Sequence, residues 1–363
     1  MKTCVRTAAV AVAALSVAVA PLACGQTGGN SVERESAPKI GLLMPDVITA
    51  RWETDDRPLL EKKIKELCSD CAVEHANARG DVATQQQQVD SMITRGVDAL
   101  VLVAEDAKAL EAAVRKAHDA GIPVISYDRL AQGPISGYVS FDGVEVGRLQ
   151  GRALLKAMSQ RRDGNQVVMM NGDPSDPNAI LFKKGALSVL QGRVKIAAMY
   201  DTSMWRQEIA NLNMAGAIAG LGADKINGVY AANDSLAAGS ISALKANKVS
   251  PLPPITGQDA DLGAVQRILA GEQYMTVWKS FRPEAAAAAT MAVAAARGQS
   301  LDRIATAKVS TVGANAVPAV LLTPVAVTAD NIKDTLVKGG VYTIEQICTL
   351  RLSAACERAG LTG

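Results

Sequence analysis

From Lys39 onward, short apolar runs alternate with helical patterns, and this alternation limits the fold more than any other feature of the chain. Residues 40–44, 73–76, 99–103 and 122–127 read as strands, and residues 59–67, 84–95 and 107–120 between them as helices. After residues 138–142 the pattern begins again. Strands are expected at 166–171, 195–200, 229–232, 255–258 and 274–279, with helices at 144–158, 177–190, 207–221, 235–246 and 262–270. A strand that is apolar without alternation must be buried on both faces, which happens when helices cover both sides of a parallel sheet. Two successive sets of such units predict an α/β protein of two doubly wound parallel-sheet lobes.

In open parallel sheets, ligands bind outside the carboxyl ends of the strands. The strand ends here are rich in polar residues: Asp46, Asp128, Arg129, Asn171, Asp173, Asn233, Asp234, Asp259, Asp261 and Lys279. An aspartate at such a place also suits a helix N-cap, and Asp234 and Asp261 fit that second role. Trp52 and Trp205 fall in loops after strands, whereas Trp278 lies inside one. A sugar presents a C–H face that packs on an aromatic ring, and hydroxyls that need paired donors and acceptors. Two indoles among acids, amides and cations suit such a ligand.

The first 23 residues read as a signal peptide. Lys2 and Arg6 precede an apolar run at 8–20, which is too short to span a membrane as a helix. Two cleavage patterns compete, Ala18-Val19-Ala20 and Pro21-Leu22-Ala23-Cys24-Gly25. The second would make Cys24 a lipidated first residue, with 24–38 a flexible tether. Lys2 and Arg6 are the only charges in the leader, so the remainder carries 36 basic and 36 acidic residues. A neutral body supplies no field for nucleic acid or an anionic membrane surface. Cys68, Cys71, Cys348 and Cys356 remain after export, which permits disulfides. They allow three connectivities, the local pairs Cys68–Cys71 and Cys348–Cys356 being the simplest. Cys68-Ser69-Asp70-Cys71 could also be a redox motif or half a metal site. The chain has only two histidines, His75 and His118, and no second C-x-x-C, so neither a metal nor another cofactor is expected. Nucleophile-elbow and phosphate-loop motifs are likewise missing, and an enzyme is not expected.

Several motifs, taken in order, resemble those of the D-xylose-binding proteins of ATP-driven sugar importers. They are Arg51-Trp52-Glu53, Arg95-Gly96-Val97-Asp98, Tyr127-Asp128-Arg129, Ser140-Phe141-Asp142, Asn233-Asp234-Ser235, Gly257-Gln258-Asp259-Ala260-Asp261, Thr276-Val277-Trp278-Lys279 and Leu322-Thr323-Pro324. The similarity runs from about Lys39 to Gly340. It implies the type I periplasmic-binding-protein fold, two lobes joined by three crossings near 140–143, 277–280 and 309–324. The lobes would comprise 39–142 with 280–308, and 143–279 with 309–345, followed by an extension at 346–363 that lies outside the resemblance. Carried over, Trp52 and Trp205 would sandwich a pyranose. Asp128, Arg129, Asn178, Asn233, Asp259 and Lys279 would bond its hydroxyls, with Arg51 and then Asp234 as further contacts. The resemblance implies a monomer that gives a monosaccharide, D-xylose first, to an ABC permease on the extracytoplasmic face of the membrane. A sensory role at a membrane receptor is the alternative, and arabinose, ribose or glucose could replace xylose.

Overall fold

The computed structural model describes residues 37–159 and 164–361. The leader, Cys24 and most of the tether lie outside the described residues. The strands are β1 (Lys39–Met44), β2 (Ala72–Asn77), β3 (Ala99–Leu102), β4 (Val124–Tyr127), β5 (Gly137–Phe141), β6 (Gln166–Asn171), β7 (Lys195–Asp201), β8 (Gly228–Ala231), β9 (Thr276–Trp278), β10 (Ala307–Thr311), β11 (Ala314–Leu322) and β12 (Val325–Val327). The helices are α1 (Arg57–Leu67), α2 (Val82–Thr94), α3 (Glu111–Asp119), α4 (Gly143–Ser159), α5 (Pro177–Leu190), α6 (Gln207–Leu221), α7 (Asp234–Ala246), α8 (Leu262–Leu269), α9 (Phe281–Ala296), α10 (Ile344–Ile347) and α11 (Ser353–Arg358). None of the described helices is long and apolar enough to cross a membrane.

The larger sheet has the order β10-β11-β5-β4-β3-β1-β2 and is parallel except for the antiparallel β10–β11 pair. Its first face packs Ile40, Leu42, Val101 and Ile125 against α1 and the alanine-rich α9. The opposite face packs Leu43, Leu100 and Val124 against Val89 and Met92 of α2 and Val114 of α3. This double cover is why the strands read as unbroken apolar runs. The second sheet, β7-β6-β8, is parallel and gains one further bridge between Val229 and Ile255. The strand expected at 255–258 is thus reduced to a single bridge. The short antiparallel pair β9–β12 completes the core. The chain leaves the large sheet after β5, returns between β9 and α9, and leaves again after β11.

The lobe boundary expected at residue 309 lies elsewhere. β11 pairs with β5 from Ala319↔Tyr138 to Leu322↔Phe141, so residues 309–322 belong to the first sheet. Val317 and Ala319 join the cluster on one face of that sheet and Val320 the cluster on the other, which is why the segment stays there.

Close packing sets the entrance to the second lobe. A Cβ on Gly147 of α4 would lie 2.0 Å from the Phe182 carbonyl, and one on Gly185 of α5 would lie 2.0 Å from the Val144 carbonyl. Because the obstacles are backbone atoms, only glycine lets α4 and α5 approach this closely. That contact orients α5, whose first turns carry Asn178 and Phe182.

Candidate sugar-binding site

Polar side chains reach the interlobe cleft from the carboxyl ends of both sheets. They line one small, partly open cavity with about 30 Å³ of free volume. Thr49, Arg51, Trp52, Asp128 and Arg129 line it from the first sheet. Asp176, Asn178, Phe182, Trp205, Asn233, Gln258 and Asp259 line it from the second lobe, with Lys279 at a crossing.

The two indoles are held by matching devices. Trp52 Nε1 donates to Asp46 Oδ2 at 3.2 Å, and Trp205 Nε1 donates to Asp176 Oδ2 at 3.2 Å. Arg129 serves both acids, with Nε 2.9 Å from Asp176 and Nη2 3.8 Å from Asp46. Trp205 meets Phe182 edge to face, centroids 6.4 Å apart. A Cβ on Gly172 would sit 2.0 Å from the Trp205 ring, so glycine makes room for the indole there.

Asp128 is the electrostatic centre. Its Oδ2 lies 3.0 Å from Arg51 Nη1 and 3.6 Å from Lys279 Nζ, and Asn178 Nδ2 donates to its Oδ1 at 2.8 Å. Burial pushes this carboxyl up, but Lys279, Arg51 and Arg129 outweigh burial and hold it at about 2. It is therefore an anion at any physiological pH, able only to accept hydrogen bonds. Lys279 Nζ also lies 3.3 Å from Asp259 Oδ1. Gln258 donates a very short contact to Asp259, while its Oε1 is buried without a protein partner. A buried acceptor of this kind suits a ligand hydroxyl.

Behind this layer Arg51 is gripped on all sides. It makes a two-point contact to Asp56 (2.6 and 2.8 Å) and reaches Glu284 Oε2 at 3.0 Å. Its guanidinium stacks 4.4 Å from the Trp52 ring centroid and 3.8 Å from that of Phe281. With Asp56, Asp128 and Glu284 around one guanidinium, burial followed by the Asp128 charge pushes the Glu284 carboxyl well above its ordinary range.

Three residues of the cavity wall have left-handed backbone without being glycine: Asp128 (φ 57°), Trp205 (φ 53°) and Asp259 (φ 99°). Each such residue costs on the order of 1–3 kcal/mol and persists only where its surroundings fix it.

Nine of the ten residues suggested as ligand contacts line this one cavity; Asp234 does not. Asn233 is the residue that caps α7, accepting from the Leu236 amide at 3.0 Å. That leaves Asp234 at the first helical position with its carboxylate turned into the lobe. It accepts from Gln273 Nε2 at 2.7 Å, Thr276 Oγ1 at 3.0 Å and the Asp261 amide at 3.0 Å. Asp261 flanks α8 without a side-chain cap bond. Thr49, Asp176, Phe182 and Gln258 were not expected as contacts. Asp176 before Pro177 carries an ordinary N-cap signal, and it does cap α5 through the Asn178 amide at 2.8 Å. The other oxygen of its carboxylate serves the site. Cys68–Cys71 and Cys348–Cys356 are both joined, the first at the end of α1 and the second across α10 and α11. No group of three or more metal-ligating side chains occurs among the described residues.

Residues 40–300 match a family model described as a periplasmic binding protein domain. The chain is 38% identical over 310 residues to the D-xylose-binding periplasmic protein of Escherichia coli (strain K12), covering 84% of this chain and 91% of that protein. It is 32% identical to a multiple sugar-binding periplasmic receptor of Rhizobium radiobacter, covering 85% and 92%. Among solved structures, an ABC transporter solute-binding protein from Clostridium phytofermentans with bound β-D-glucose superposes with a TM-score of 0.78 at 32% identity, covering 85% of this chain and all of that one. With two parallel-sheet lobes, three crossings and a cleft between the sheet ends, this chain belongs to the periplasmic binding protein family and has its type I fold.

Proposed function

We propose that this protein captures a monosaccharide, D-xylose first, between its lobes and delivers it as a monomer to an ABC permease. The observation that carries this reading is the pair of tryptophans, one from each lobe, lining a single cavity whose other walls, Phe182 apart, are hydrogen-bonding groups. The indoles would cover the two faces of the sugar ring. Asp128, Asn178, Asn233 and Asp259 would accept from its hydroxyls or share bonds with them, and Arg129 and Lys279 would donate. Charged partners strengthen such bonds to a neutral ligand. The identity to D-xylose-binding proteins of Escherichia coli and Haemophilus influenzae, 38% and 36%, puts xylose first. Glucose is the second choice, because the solved structure at 32% identity holds β-D-glucose.

Arg129–Asp176 and Asn178–Asp128 join opposite lobes. Closure over the sugar would add these contacts to those with the ligand and shift the population toward the closed form. The family works on the extracytoplasmic side of the membrane. For this chain the leader at 1–23 would direct export, and lipidation of Cys24 would anchor the body through the 24–38 tether.

Calorimetric titration of the unlipidated protein with pentoses and hexoses tests the reading. One-to-one xylose binding that is lost in Trp52→Ala and Asp259→Ala supports it. Tighter binding of glucose with the same losses would change the ligand alone, and a folded protein that binds no sugar would end the proposal. Mass spectrometry of membrane-extracted protein tests lipidation: an unmodified mature chain starting at another residue would refute it.

A further inference from the structure

The turn that carries Asp259, like Met204-Trp205, has two successive non-glycine residues with positive φ, Asp259 at 99° and Ala260 at 58°. Such a turn needs restraint from its surroundings. Its amides are held within the lobe. Asp259 N donates to the Val277 carbonyl at 2.9 Å, Ala260 N to Thr276 Oγ1 at 3.1 Å, and Asp261 N to Asp234 Oδ2 at 3.0 Å. Asp234, which does not line the ligand cavity, is thus the anchor behind the turn. It fits so closely that a Cβ on Gly257 would meet its Oδ1 at 2.0 Å.

The Ala260 carbonyl is held from a different quarter. Tyr342 Oη donates to it at 3.1 Å. Tyr342 immediately precedes Thr343, which caps α10 in a reciprocal bond with Gln346. From α10 to Leu361 the chain folds back on itself, closed by Cys348–Cys356. Ile347, Cys356 and Leu361 are buried against Val265, Ile268 and Leu269 of α8, the helix that follows the turn, and Ala260 belongs to the same cluster. Gln266 of α8 donates to the Gln346 carbonyl at 3.2 Å. Tyr342, just ahead of the extension, therefore holds the carbonyl of the turn, while the extension packs on the helix that continues from it.

We propose that the disulfide-closed C-terminal extension is a buttress for the binding site, and that Tyr342 is a positioning residue which holds the left-handed turn presenting Asp259 to the ligand. This deepens the sugar-binding reading and rests on it for the ligand; the effect on the turn can be measured without any sugar.

The test uses the full mature protein and Tyr342→Phe, which removes the hydroxyl and keeps the ring. In sugar-free protein, amide hydrogen exchange at residues 259–261 should accelerate about two- to tenfold, the factor set by one hydrogen bond. Xylose affinity should fall by a similar factor, about two- to tenfold, with the melting temperature nearly unchanged. In an Asp259→Ala background, Tyr342→Phe should cost no further affinity, because the tyrosine acts only through that aspartate. Exchange left unchanged by Tyr342→Phe overturns the proposal, and so does an equal affinity loss in the Asp259→Ala background. Replacing both Cys348 and Cys356 by serine should reproduce the faster exchange; unchanged exchange there overturns the part assigned to the extension. A wild-type protein that binds no sugar would end the transport reading, and the exchange result would then decide the buttress alone.

Discussion

Replacing Gly172 by alanine puts one methyl group where the Trp205 indole now lies. The added carbon would be 2.0, 2.2 and 2.4 Å from three ring atoms. Ordinary carbon–carbon contact lies near 3.5 Å, so the ring must withdraw by about 1.5 Å. Gly172 has no positive φ, so alanine strains nothing in its own backbone and the whole effect passes through the indole. A displaced ring loses its bond to Asp176 and its edge contact with Phe182. Overpacking of this kind costs about 1–3 kcal/mol of stability. The loss to sugar affinity should reach tenfold or more, about 1.4 kcal/mol, because one of two stacking faces is misplaced. Thermal unfolding and calorimetric titration of Gly172→Ala, Trp205→Ala and the double variant provide the assay. In the Trp205→Ala background the alanine at 172 should cost almost nothing in either measurement. Additive losses would refute the reasoning, since they would mean that the methyl group acts on something other than the indole.

Other expectations follow from the same geometry. Asp128, depressed to about 2, contributes stability that is full above its unfolded value near 3.8 and is lost as pH falls through 2; for the shift shown this is on the order of 2 kcal/mol. Asp128→Asn should remove that acid-limb dependence in unfolding measured against pH. Glu105 is raised to about 7, first by burial, which Arg129 partly offsets. It should therefore favour the folded state below pH 4.5 and lose that effect as pH rises to 7, and Glu105→Gln should flatten the stability profile in this window. Glu284→Gln should change stability by less than about 1 kcal/mol at neutral pH, since the carboxyl is already pushed towards its neutral form, while Arg51→Ala should cost about 3–5 kcal/mol by leaving buried acids unpaired. Denaturant unfolding separates the two, and equal losses would contradict the assigned charges. Gly147→Ala should lose at least the roughly 1–3 kcal/mol typical of overpacking, because the Phe182 carbonyl in its way cannot rotate aside as a side chain can.

The features legible in the sequence were those with a local period or a fixed place on a strand. Unbroken apolar strands gave the parallel sheets. The strand-end rule pointed to Asp128, Arg129, Asn233, Asp259 and Lys279, the loop positions to the two tryptophans, and family resemblance to Asn178, all of which line the cavity. Asp176 and Asp234 show the limit of that reasoning. Both stand where a helix starts, and sequence does not say which way a carboxylate turns once a neighbour has taken the cap. Phe182 reads as an ordinary apolar helix residue; it reaches the cavity because α4 and α5 lie so close. Residues 314–322 carry no local sign of which sheet they join, since that choice depends on pairing with β5, far away in sequence. The positive φ values at Asp128, Trp205 and Asp259 are equally silent, because none of these residues is the glycine that usually announces such backbone.

The return of the chain to its first sheet also governs the order in which the molecule can fold. A nascent chain that ends after β9 contains every strand of the second sheet, yet its first sheet still lacks β10 and β11 and the cover provided by α9. Until residues 281–322 arrive, Ile40, Leu42, Leu60 and Ile64 have lost part of the apolar surface that buries them. Contacts this distant in sequence form slowly, and unfinished sheets with open edges tend to aggregate. The second lobe in turn waits for β12 and the C-terminal extension that covers α8, so a chain cut soon after β9 leaves both lobes unfinished and should be punished by insolubility.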